Sequence, residues 1–341
     1  MDNFELNTID RQLIDKLAAF LPKKIFDAHA HLYDAAFVPN MHDPESNVFS
    51  RRQLNCADYL QYQGALYPGA EMMRINIVTM PDRAMADRSN GLRDASVRFL
   101  VDQLTRCPDH VGEVFVLPDD TENDIESLLV HPNIRGFKCY HLVAARQPTW
   151  QAGIAEYLPE SAWRVAHEKE LCITLHMVRD RALADTGNRA YIKEMAHKYP
   201  RATLILAHAA RGFAAWTTVE SVAELAGLEN VWFDLSAICE SPPMMAILKH
   251  CGVKRVLWGS DFPISMARGK AISLGDGFYW IYKQDLARFQ AATPIRATLV
   301  GIENLLAVQE ACMLLDLDKP AIEDIFYNNA MRLFRLTDQE L

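Results

Sequence analysis

Eight apolar runs of six to eight residues recur along this 341-residue chain, and they limit its architecture more than any other feature. They are "KIFDAHAH" (24–31), "RINIVTM" (74–80), "EVFVLP" (113–118), "IRGFKCY" (134–140), "LCITLHM" (171–177), "ATLILAH" (202–208), "NVWFDLS" (230–236) and "KRVLWGSD" (254–261). Each is short and rich in β-branched or aromatic residues, as strands are. Between most of them lie patterns with helical period, such as "LRDASVRFLVDQL", "YLPESAWRVAHEKE" and "NRAYIKEMAHKY". Strands alternating with helices predict a parallel sheet, and eight such units predict a closed (β/α)8 TIM barrel. An open doubly wound sheet is the alternative, but no strand runs into a Gly-rich phosphate fingerprint. Phe4, Leu6, Ile9, Leu13, Ile14, Leu17 and Phe20 predict an amphipathic helix ahead of the first strand. Residues 298–336 predict a helical C-terminal extension. A long insertion follows the first strand, with a loop "AAFVPNMHDPESN" and a helical stretch near "QLNCADYLQYQGAL". With no low-complexity linker, residues 1–341 are expected to form one domain, its barrel core at about 25–336.

In such a barrel the chemistry sits at the C-terminal ends of the strands. Here those ends repeatedly carry groups that bind metal or protons: His29 and His31 on the first, Lys138 on the fourth, His176 on the fifth, His208 on the sixth and Asp261 on the eighth. Alternate side chains of a strand share a face, with Cα atoms about 6.7 Å apart. Two imidazoles so placed can converge on one ion held at about 2.0–2.1 Å. Taken alone, the pair also describes a polar strand end with two solvated histidines; five strands ending this way favour a site. If Lys138 points inward, Cys139 faces the helices as a small buried hydrophobe and Tyr140 faces the mouth. Asp27 lies one layer deeper, either orienting a ligand imidazole or capping the strand start. His110, His131, His167, His197 and His250 read as surface or capping residues. His42 and His141 stand near the mouth with no assigned role.

Composition narrows the partners. Net charge is −9 and there is no basic run, which argues against nucleic acid or an anionic membrane surface and for a small-molecule substrate. The acidic, amphipathic N-terminus resembles neither signal peptide nor transmembrane span, and no later run is long enough to be one. Seven cysteines without a Cys-x-x-Cys pair read as reduced thiols of a cytoplasmic protein. Self-association into a homo-oligomer is left open.

Taken in order, "DAHAH", "TLHM", "ILAHAAR" and "LWGSDFP" resemble the amidohydrolase superfamily, and most closely its amidohydrolase-2 branch, which also holds the aminocarboxymuconate semialdehyde decarboxylase-like enzymes. The ending "YNNAMRLFRL" is similar to that branch's terminal signature. The resemblance implies one divalent metal per chain, zinc above all, held by His29, His31, His176 and Asp261. It implies that His208 contacts the activated water or holds a second ion. TatD-type nucleases place an acid on the fourth strand where this chain has Lys138. Zinc lowers the pKa of bound water from 15.7 to about 7, on the order of 12 kcal/mol, so a metal is expected to activate the nucleophile. Asp261 is then expected to accept and pass on its proton. A hydrolase acting on a small carboxylate-bearing substrate (amide, lactone or related bond) is the expected outcome; a decarboxylase on the same site and a non-catalytic barrel are the alternatives. Lys138, uncarboxylated, together with Tyr140, Arg179 and Arg211, forms the expected substrate side, with "HLVAARQPTWQAGIAEYLPE" as a lid anchored by Trp150.

Overall fold

The computed structural model describes residues 5–44, 46, 48–288 and 294–337. Eight parallel strands appear in the expected order: β1 (Lys24–Ala30), β2 (Met72–Val78), β3 (Val111–Phe115), β4 (Ile134–Tyr140), β5 (Cys172–His176), β6 (Thr203–Leu206), β7 (Val231–Asp234) and β8 (Val256–Leu257). Each pairs with its neighbour in sequence. The ring closes where the Ala28 N–H donates to the Trp258 carbonyl at 2.9 Å and Ala30 bridges Phe262. This is a (β/α)8 barrel, with its helices outside and its catalytic face at the strand C-termini.

Asp27 holds that seam. Its Oδ1 accepts from the backbone N–H groups of His29 (3.1 Å) and Ser260 (2.9 Å), and its Oδ2 from the Tyr59 hydroxyl (2.8 Å). The carboxylate therefore ties β1 to the segment after β8 through backbone N–H groups and a tyrosine hydroxyl, which favours the strand-capping reading over the histidine-orienting one. Gly259 serves the same seam: a Cβ there would stand 2.9 Å from the His29 Cβ and 3.1 Å from that of Ser236. Any side chain at that position would push the last strand away from the first.

The amphipathic N-terminal pattern becomes α1 (Thr8–Leu17), started by an Asn7–Asp10 capping box; Phe4 lies outside the described residues. The insertion supplies α2 (Cys56–Tyr62), and its loop is described except for residues 45 and 47. Helices α3 (Leu92–Arg106), α4 (Glu160–Lys169), α5 (Thr186–Lys198), α6 (Ser241–Cys251) and α7 (Val300–Leu314) cover the barrel. The C-terminal extension closes its floor, where Phe334 stacks on Phe26 with centroids 5.5 Å apart, and Tyr327 and Met331 are buried nearby. Between β8 and α7 stands an antiparallel hairpin, Gly269–Leu274 with Gly277–Tyr282, that the strand–helix alternation did not anticipate. Among the described residues no helix is long and apolar enough to cross a membrane.

The strands end earlier than their apolar runs. Arg179, Ala237 and Asp261 follow β5, β7 and β8 with φ of 76°, 57° and 56°, and after β6 four consecutive residues, His208 to Arg211, hold φ between 50° and 58°. Left-handed backbone costs about 1–2 kcal/mol per non-glycine residue, and such strain gathers at functional sites. Here it re-aims the chain at the mouth, so turns place His208 and Asp261 where continued strands would not.

Candidate metal centre

The two histidines of β1 converge as their spacing predicts. The His29 Nδ1–H donates to Asp234 Oδ2 at 3.0 Å, and the His31 Nδ1–H donates to the Val78 carbonyl at 2.8 Å. A carbonyl or carboxylate oxygen only accepts, so each ring donates through Nδ1 and turns its Nε2 toward the other. Those two atoms face each other at 3.3 Å. Asp261 Oδ1 completes a triangle, 3.3 Å from His31 Nε2 and 3.8 Å from His29 Nε2. The Lys138 amine stands at one corner of this triangle, 3.2 Å from His29 Nε2, and the centre of the triangle is open to a cation. Donors bonded to one tetrahedral ion at about 2.0–2.1 Å lie about 3.3 Å apart, so this triangle fits a divalent metal.

The electrostatics agree. Burial, reinforced by Lys138, pushes the His29 imidazole down to about 3, so it stays neutral and ligand-competent. Burial pushes Asp261 up, but His208, His31 and His29 outweigh it and hold the carboxyl below its ordinary range. Asp234 follows the same pattern through His29, His208 and Ser236 and stays ionised. Its Oδ1 accepts the backbone N–H of His208 (3.0 Å) and the Ser236 hydroxyl (2.5 Å). One carboxylate thereby sets the His29 tautomer and positions β6. An outer partner of this kind is worth about 10–100-fold in metal affinity. Asp234→Asn is therefore expected to weaken metal binding by that factor in a chelator competition, while the fold is retained by circular dichroism.

His176 and His208 sit beside the triangle. His208 Nε2 lies 3.1 Å from His176 Nδ1, and His208 Nδ1 lies 2.9 Å from Ser236 Oγ and 4.0 Å from Asp261 Oδ2. His176 does not join the mutual 4.8 Å cluster of His29, His31 and Asp261. It does line the same cavity, together with His31, His208, Asp261, Lys138 and Tyr140. The space left there is about 80 Å³, room for two or three waters at about 30 Å³ each. A groove of about 680 Å³ beside Asn40, Arg83 and Gln147 is larger, but it holds no converging metal donors. Volume is the poorer guide here.

A family model described as amidohydrolase matches residues 26–336. The chain belongs to the amidohydrolase-2 family. No curated protein matches it significantly. Among solved structures it is similar to an amidohydrolase from Burkholderia multivorans with bound zinc, at 15% identity, covering 92% of this chain and 99% of that one, TM-score 0.59. It is also similar to 5-carboxyvanillate decarboxylase from Sphingomonas paucimobilis, at 12% identity, 93% and 100% coverage and TM-score 0.58. A candidate 2-pyrone-4,6-dicarboxylic acid hydrolase from Pseudomonas putida is 16% identical, with 94% and 100% coverage and TM-score 0.54. At these identities the likeness is one of fold. Amidohydrolases of this family are generally enzymes and usually bind a divalent metal; the His29–His31–Asp261 triangle is the candidate site in this one.

On the substrate side, this amidohydrolase departs from its sequence in several places. Lys138 lies at the cavity floor rather than its mouth: it is 1% exposed, with Nζ 3.2 Å from His29 Nε2. Burial pulls its pKa down against the pull of Glu113, Asp234 and Asp261, which suits an amine next to a dication. Tyr140 faces the cavity, its ring 4.4 Å from that of His176, its hydroxyl pushed up to about 12 by burial and Asp261. Arg179 is committed to Asp185 at 2.9 Å. Arg211 donates to the Arg179 carbonyl at 2.6 Å and stacks over Phe278 at 5.5 Å. Neither arginine lines the cavity. The roof is built by Met41 and Phe49 from the first insertion and by Met80, Pro81 and Ile264. The loop after β4 forms three short 3-10 turns, and Trp150 is 42% exposed, so the roof is not the lid expected from loop length. His42 Nδ1 donates to the Phe49 carbonyl at 2.9 Å and braces that roof. Cys139 is fully buried, as alternation predicts.

Asp234 and Glu113 went unread because each sits inside an apolar run. Glu113 Oε1 accepts from Asn76 (2.6 Å) and Thr174 (2.9 Å) inside the barrel, while its Oε2 is buried without a partner. Burial pushes its carboxyl up to about 7. An acid raised from about 4.3 when unfolded contributes stability in full below that value. The contribution is lost as pH rises through about 7. Glu113→Gln is therefore expected to remove a decline on the order of 3 kcal/mol between pH 4.5 and 7.5. Denaturant unfolding of both proteins at the two pH values reads it directly.

Proposed function

We propose that this protein is a metal-dependent hydrolase, zinc the preferred ion, acting on a small carboxylate-bearing substrate at an amide, lactone or related bond. The reading is carried by one observation: two imidazole Nε2 atoms and a carboxylate oxygen converge at 3.3–3.8 Å beside the cavity at the barrel mouth. His29, His31 and Asp261 would hold the ion, with His176 completing the set from β5. A divalent ion held there would supply Lewis acidity and lower the pKa of the attacking water. Asp261, ionised and with its second oxygen 4.0 Å from His208, takes the proton of the attacking water and returns it to the leaving group. His208, its Nδ1 fixed at Ser236, orients that water or polarises the attacked carbonyl. Tyr140 and Lys138 bound the substrate. Arg211 has no carboxylate partner among the described residues, and it supplies positive charge behind Tyr140 and His176. The free cavity is small, so the Met41–Phe49 roof moves aside when substrate enters.

Turnover of small lactones and amides in heavy-oxygen water tests the reaction class. Hydrolysis places one solvent oxygen in the product acid. Release of carbon dioxide from an aromatic carboxylate, with no solvent oxygen retained, would assign the chain to the decarboxylases instead. Lys138 stays uncarboxylated in this account, buried at the floor and held 3.2 Å from His29. Added bicarbonate is therefore expected to leave the metal content of the catalytic centre unchanged, as elemental analysis of the dialysed protein would show.

A further inference from the structure

A second group of metal-competent donors lies away from the cavity. Cys56 opens α2, Cys107 ends α3 and His110 immediately precedes β3. Each offers a donor atom within 4.8 Å of the other two. The sequence reads His110 as a surface or capping residue, but it is only 6% exposed, and Cys56 only 4%. His110 Nδ1 is buried with no hydrogen-bond partner, a costly condition for a polar atom. Backbone bonds hold the three donors together. The Cys56 N–H donates to the Gln103 side-chain carbonyl at 3.0 Å, the Cys107 N–H to the Gln103 backbone carbonyl at 2.9 Å, and the His110 N–H to the Cys107 carbonyl at 3.1 Å. None of the three lines the catalytic cavity. His110 stands at the N-terminal end of β3, the barrel end opposite the catalytic face.

We propose that Cys56, Cys107 and His110 form a second metal site, for one thiophilic ion of the Zn2+ class, which pins α2 of the insertion to the turn between α3 and β3. Two thiols and an imidazole are the donor set of zinc and its soft relatives, whereas magnesium and calcium require oxygen ligands. On binding, each thiol gives its proton to solvent and forms a metal–sulfur bond, and the neutral imidazole donates a lone pair. Cys107 is partly exposed, so water can reach the site and would supply a fourth ligand. A disulfide between the two cysteines would use the sulfurs and leave the buried imidazole beside them unused; an ion engages all three.

The test uses the full-length protein, reduced and freed of metal, then titrated with cobalt(II) alone. Cobalt bound by thiolate gives an intense near-ultraviolet charge-transfer band, and the cavity of the catalytic centre contains no cysteine. The expected result is such a band, saturating at one equivalent per chain in His29→Ala and by two in wild type, where the catalytic centre also takes cobalt. It should be present in both wild type and His29→Ala and lost in Cys107→Ser, whose partly exposed position tolerates the change. His110→Gln should weaken the band without abolishing the fold. Zinc loading should give two equivalents in wild type and one in either Cys107→Ser or His29→Ala. No thiolate band in wild type, a band undiminished in Cys107→Ser, or a peptide map recovering Cys56 linked to Cys107 would each overturn the proposal.

Discussion

Asp261→Asn is expected to lower turnover by about 10²–10⁴-fold, the range for loss of a general acid–base. The carboxylate is buried in the triangle, and His208, His31 and His29 offset its burial and keep it ionised. It is therefore unprotonated at neutral pH and open to accept a proton. Asparagine keeps the shape and one ligating oxygen but cannot take a proton. Its backbone anchor, Asp261 N–H to the His29 carbonyl at 2.7 Å, is unaffected by the exchange. Stopped assays alongside elemental analysis separate the two roles of the residue. A variant that keeps its metal and loses turnover supports proton transfer; one that keeps both metal and most of its activity would remove Asp261 from the mechanism.

His29→Ala and His31→Ala are expected to abolish metal binding at the catalytic centre, and activity with it. Each removes one corner of the three-donor triangle and leaves two of its donors, with His176 and His208 beside them. Their structural costs differ. Removing His29 leaves Asp234 Oδ2 buried without its imidazole donor, about 2–3 kcal/mol for a charged acceptor that loses a hydrogen bond. Removing His31 frees only the Val78 carbonyl, about 1–3 kcal/mol. His31→Ala is thus the cleaner probe, folded but metal-free. His176→Ala should reduce metal content less than either, because His176 stands against His208 outside the triangle. Thermal melts with metal analysis on the three variants read this order, and a His176→Ala protein emptier than His31→Ala would reverse it.

The barrel was legible because its signal is periodic: eight apolar runs spaced by helical patterns allow few closures. The histidines were legible because they end those runs. What escaped were groups whose role depends on contacts across the ring. Asp234 lies in "VWFDLS", where nothing local reveals that it meets His29 from the far side of the β1–β8 seam. Asp27 adjoins the histidines in sequence yet serves backbone N–H groups and a tyrosine hydroxyl, a choice set by the close approach at Gly259. Arg179 and Arg211 follow His176 and His208 by the same interval, but neither lines the cavity, and both have left-handed backbone. His110 reads as a surface or capping residue because it stands in a turn-like segment before a strand, yet it is only 6% exposed.

Anomalous diffraction at the zinc edge, from crystals of untagged protein grown with zinc, tests the central claim most directly. A single ion is predicted within about 2.0–2.2 Å of His29 Nε2, His31 Nε2 and Asp261 Oδ1. Full zinc loading with no anomalous peak inside that triangle would contradict the account.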